Sequence, residues 1–113
     1  MHVRVFDVDA EGSVSNSRVL VEQPISERHP TGVPDGMKVD RDGNLYATGP
    51  GGVWVVRPDG DVLGVVTTPE IAHNLTWGGR DRRTLFITAG ESLYRLQTNA
   101  QGAAPAHASD GQG

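Results

Sequence analysis

Asn44-Leu45-Tyr46-Ala47-Thr48-Gly49 and Thr84-Leu85-Phe86-Ile87-Thr88-Ala89 are two versions of one segment, about 40 residues apart. The same spacing lays Val53-Trp54-Val55-Val56 over Leu93-Tyr94-Arg95-Leu96. Upstream, Val33-Pro34-Asp35-Gly36-Met37-Lys38-Val39 falls over Ala72-His73-Asn74-Leu75-Thr76-Trp77-Gly78 with one residue of slip. A longer hairpin at Arg80-Asp81-Arg82-Arg83 than at Arg41-Asp42-Gly43 accounts for that slip. Each copy reads strand, turn, strand, turn, strand: short apolar, β-branched or aromatic runs separated by turn residues.

Working outward, the punctuation is Asp42-Gly43, Gly51-Gly52 and Pro58-Asp59-Gly60, dipeptides suited to hairpins. Val62-Leu63-Gly64-Val65-Val66 supplies a fourth strand to the first copy. Val3-Arg4-Val5-Phe6-Asp7-Val8 and Arg18-Val19-Leu20-Val21 look like the last two strands of a preceding unit. Four strands per period of about 40 residues is the pattern of a β-propeller. The expected fold is therefore all-β, a partial propeller of about two blades of four-stranded antiparallel sheet. A self-contained β-sandwich with an internal duplication is the alternative. Propeller blades bury their faces only against neighbouring blades, so such a segment is expected to expose apolar edges.

The composition agrees. Of 113 residues, 36% are hydrophobic, and 15 glycines and 7 prolines interrupt any helical run. A formal charge of −4 with interspersed signs offers no basic face for nucleic acid. No apolar run approaches the roughly 20 residues that cross a bilayer, and the alternating, acid-bearing start MHVRVFDVDAEG is not a signal peptide. The absence of cysteine excludes a disulfide framework and a thiolate zinc site, and a cytoplasmic location is the expectation. Residues 98–113 carry almost no bulky apolar side chain and read as a disordered tail.

The run from Val33 to Tyr46, with Gly51-Gly52-Val53-Trp54-Val55, Pro58-Asp59-Gly60, Asn74-Leu75-Thr76-Trp77-Gly78-Gly79, Thr84–Thr88 and Ser92–Leu96, resembles the gluconolactonase, senescence marker protein and regucalcin family. The likeness covers roughly residues 3–97, read as the C-terminal blades of a six-bladed propeller. It implies a hydrolase of sugar lactones or related esters that uses one divalent cation (Ca, Zn, Mn or Mg). Of the family's cation ligands, only the Asp of a Pro-Asp-Gly turn is matched, by Asp35. The N-terminal Glu and the Asn of a Pro-Asn-Gly turn have no counterpart, so the chain by itself is expected to be inactive. Pairing with missing blades, or self-association, would be needed to complete a site for the lactone.

Asp35 opens an inner strand, where side chains from several blades converge, and a carboxylate there suits a hard divalent cation. The resemblance implies that it is both metal ligand and catalytic base; Pro-Asp-Gly by itself is simply a good turn. Asn74 holds the equivalent position one blade later and is a candidate substrate-binding residue, or a turn amide. His29 and His73 precede the two inner strands and are further substrate-binding candidates, although exposed loop histidines are common. Asp40-Arg41-Asp42-Gly43-Asn44 is no EF-hand loop, because Leu45 stands where that loop needs glycine. Gly49-Pro50-Gly51-Gly52 is followed by no helix and is no phosphate cradle. Two further readings remain: a non-catalytic propeller segment that binds a protein partner through its edges, and another esterase or phosphotriesterase on the same fold.

Overall fold

Among the described residues, valine, leucine and aromatic residues gather into nine strands, with glycine and aspartate turns between them. The computed structural model describes residues 1–104. β1 (His2–Val8) and β2 (Val14–Glu22) form a two-stranded sheet. β3 (Met37–Val39), β4 (Leu45–Gly49), β5 (Gly52–Val56) and β6 (Val62–Thr67) form a four-stranded meander. β7 (Ala72–Gly78), β8 (Thr84–Ala89) and β9 (Ser92–Gln97) form a three-stranded one. All pairings are antiparallel and join consecutive strands only. This is the propeller arrangement, one complete blade between parts of two others. The sandwich alternative, with strands passing between two sheets, does not form.

Packing explains why the middle blade is the most apolar. Ala47 pairs with Trp54 and Leu45 with Val56, and these four face the β1–β2 sheet together with Val3 and Val21. Their neighbours Tyr46 and Val53 point the other way, onto Leu75, Leu85, Ile87 and Ala89 of the next blade. Alternate side chains of β4 and β5 thus serve two separate cores, and both strands are buried along their length except at Val55. The outer blades have only one covered face. Leu93 is 67% exposed and Val8 65%.

Two differences from the sequence reading bear on function. The inner strand of the middle blade begins at Met37, whereas its repeat partner begins at Ala72, so the Pro-Asp-Gly turn lies outside the ladder. Residues 98–103 do not leave the molecule as the start of a tail. Thr98 N donates to the Arg83 carbonyl at 2.8 Å, Arg41 N to Gln101 O at 2.8 Å, and Gly102 N to Arg82 O at 2.8 Å. They form a strap across the β3–β4 and β7–β8 hairpins, ordered by backbone hydrogen bonds with Ala100 packed on the inter-blade core. The rest of the expected tail, 105–113, lies outside the described residues.

Candidate functional site

The β3–β4 and β7–β8 hairpins and the strap are at one end of the blades; Asp35 is at the other. Its turn is held from the neighbouring strand. Thr48 Oγ1 accepts hydrogen bonds from Asp35 N at 2.9 Å and Gly36 N at 3.1 Å, and donates to the Val33 carbonyl at 3.2 Å. With its backbone so fixed, Asp35 presents its carboxylate outward, the side chain 55% exposed.

On the next blade, the β7–β8 register slips between Ala72, which pairs with Ala89, and Asn74, which pairs with Thr88. His73 is the extra residue of this bulge, and a bulge re-aims the side chain it carries. Its Nδ1 lies 3.7 Å from Asp35 Oδ2, an ion pair when the imidazole is protonated. Asn74 sits against Gly36: a side chain at Gly36 would lie 2.8 Å from the Asn74 Cα, so glycine permits the two inner strands to approach. The Asn74 side-chain oxygen accepts from Leu75 N at 2.9 Å, a local backbone bond.

Of the four residues singled out from sequence, the structure therefore brings together Asp35, His73 and Asn74. His29 goes elsewhere. Its ring packs over Gly51 in the β4–β5 turn, and its amide bonds to Ser26 Oγ at 3.0 Å. Sequence reasoning missed Thr48, the fully buried residue on which the Asp35 turn hangs. The available signal was the repeat, which lays Thr48 over Thr88.

These donors do not make a cation centre by themselves. One carboxylate, one imidazole and an amide oxygen already engaged fall short of the roughly six to eight oxygens that calcium takes or the octahedron that magnesium demands. Among the described residues no group of three His, Cys, Asp or Glu side chains could hold a metal ion. What the site offers is an exposed, backbone-anchored carboxylate with an imidazole beside it.

Fold and site together define a segment of a β-propeller with an acid–imidazole pair at the end of its inner strands. A family model, the SMP-30/Gluconolactonase/LRE-like region, matches residues 1–91, and the chain belongs to that family. It is 32% identical over 105 residues to the gluconolactonase of Zymomonas mobilis, covering 89% of this chain and 29% of that protein. Regucalcin of Danio rerio is 35% identical over 92 residues, covering 77% and 30% respectively. The solved structure of a gluconolactonase from Xanthomonas campestris superposes with a TM-score of 0.73 at 33% identity, over 85% of this chain and 30% of that one. The chain thus spans under a third of the length of these relatives.

Proposed function

We propose that the chain forms the C-terminal part of the active site of a sugar-lactone hydrolase, with Asp35 as its catalytic carboxylate. The observation that carries this is the anchored, outward-facing Asp35 beside His73, in a chain similar to gluconolactonases. Hydrolysis requires a water to be deprotonated as it attacks the ring carbonyl, and a fixed carboxylate supplies the base. Asp35 would accept that proton, and His73 would hold the carboxylate in one orientation. Asn74 lies near enough to this end to hydrogen-bond a sugar hydroxyl. A divalent cation (calcium, zinc, manganese or magnesium) belongs to the proposal as a group to which Asp35 contributes one ligand. The remaining donors would come from blades outside this chain.

The test is lactone hydrolysis in the presence of Mn²⁺, Zn²⁺ or Ca²⁺. The 113-residue chain is expected to stay at the uncatalysed rate. A chimera in which residues 3–97 replace the matching segment of the Xanthomonas gluconolactonase is expected to turn over, and Asp35→Ala to lower its rate about 10²–10⁴-fold. A chimera that folds cooperatively yet shows no turnover would sink the reading.

A second element of the proposal is association. Among the described residues β9 is an edge strand, carrying Leu93 and Leu96, 67% and 38% exposed. An unpaired apolar edge recruits another strand. Self-association, or pairing with further blades, is what this edge supports.

A further inference from the structure

We propose that Thr48 is a positioning residue for Asp35, itself seated by Gln23; this rests on the hydrolase reading for its catalytic consequence, but not for its geometry. Asp35 N and Gly36 N lie beyond the start of β3 and cannot both find ladder carbonyls. The Thr48 hydroxyl takes the place of a ladder acceptor for both, while Thr48 N bonds the Gly36 carbonyl at 3.0 Å. The same hydroxyl spends its proton on Val33 O. One side chain thus fixes backbone groups on both sides of the Pro34-Asp35 step, which decides where the carboxylate points.

The repeat provides an internal control. Thr88 occupies the matching place in the next blade, yet its hydroxyl makes one long bond, 3.4 Å, to the Asn74 carbonyl, and it is exposed. The full three-bond anchor exists only where the acid is.

Gln23 extends the chain of support. It is fully buried, and its Nε2 donates to the Thr48 carbonyl at 3.2 Å. The Oε1 of the same amide has no hydrogen-bond partner among the described residues. Such a group costs about 1–3 kcal/mol, so an apolar residue of similar shape would serve stability better. Gly49 is the complement: a Cβ there would lie 2.5 Å from Gln23 Nε2, so the amide fits only over glycine. An amide retained against that cost, directed at the residue that anchors Asp35, is consistent with placement of the acid rather than with core packing.

The experiment compares Thr48→Val, Thr48→Ser and Gln23→Leu in the 113-residue chain and in the chimera. Valine keeps the shape of threonine and removes the hydroxyl. Amide exchange at Asp35 and Gly36 is expected to quicken about tenfold or more in Thr48→Val, roughly the loss of one hydrogen bond's worth of protection. Protection at Tyr46, Ala47 and Val55 should stay, and Thr48→Ser should restore the slow rates. In the chimera, Thr48→Val should lower kcat about tenfold with KM unchanged, with recovery in Thr48→Ser. Gln23→Leu should loosen the same two amides while leaving the melting temperature equal or higher. Unaltered Asp35 and Gly36 amides in Thr48→Val would overturn the proposal, as would loss of protection spread evenly along β4 and β5. If the amides respond but no chimera hydrolyses lactone, positioning stands and the hydrolase reading falls.

Discussion

Asp35 and Tyr46 show how differently single polar groups are used. Asp35 is held by its backbone and leaves its carboxylate exposed beside His73, whereas Asp40, five positions on, spends its carboxylate on structure. Asp40 accepts from Asp42 N, Asn44 N, Asn44 Nδ2 and Tyr46 OH at 2.9–3.1 Å and is buried. Burial first, and then the Asp40 charge, push the Tyr46 hydroxyl from 10.0 up to about 12. The unfolded chain releases this proton near pH 10.0, while the folded chain holds it to about 12. The contribution of Tyr46 is therefore complete below pH 10 and lost as pH rises through 12. Urea midpoints measured from pH 8 upward should fall across that window, and fall less in Tyr46→Phe. At neutral pH, Tyr46→Phe should cost about 1–3 kcal/mol, because Asp40 loses a buried donor.

Strands differ in what they tolerate because their faces differ. β8 places Leu85, Ile87 and Ala89 in the inter-blade core and turns Phe86 and Thr88 away from it. Leu85→Ala should cost about 2–5 kcal/mol in a urea titration, while Thr88→Ala should change stability by less than about 0.5 kcal/mol. The β8–β9 turn has a separate fastening. Glu70 accepts from Tyr94 OH at 2.6 Å and from Glu91 N at 3.1 Å. Hydrogen bonds from Ser92, then Tyr94, then the Glu91 amide lower its pKa. A lowered carboxylate stabilises the fold above its ordinary range near 4.5 and loses that effect as pH falls through the depressed value. Acid titration followed by exchange at Glu91 should show this turn loosening, and Glu70→Gln should flatten the response.

Across the whole molecule, three sheets share two cores, and the strap ties the last two sheets together. Gly102 lies on Trp77, with no room for a side chain, while the Trp77 indole donates to the Val39 carbonyl at 3.0 Å. Gly102→Val should detach the strap at a cost of about 1–3 kcal/mol, shifting tryptophan emission to the red and exposing the Arg41 and Arg82–Arg83 backbone. Sedimentation should show the 12.0 kDa chain associating in a concentration-dependent way, and Leu93→Lys on the open edge should return it towards monomer. A monomer at all concentrations would contradict the role assigned to that edge.

The sequence by itself determined the strands, their order and their grouping into blades, because alternation and turn chemistry are local and the repeat copies them. The Pro34-Asp35-Gly36 turn was legible as a turn leading into an inner strand, although that strand begins two residues after Asp35, at Met37. Tertiary structure alone decided that His73 meets Asp35, because a one-residue bulge sets the direction of the imidazole. It alone seated His29 on Gly51 and made Thr48 and Gln23 the support of the acid, through bonds between strands that no local pattern records. The strap belongs to the same class. Its composition offers little apolar surface to order it, and the backbone groups and arginine side chains of two neighbouring hairpins supply the hydrogen bonds that do.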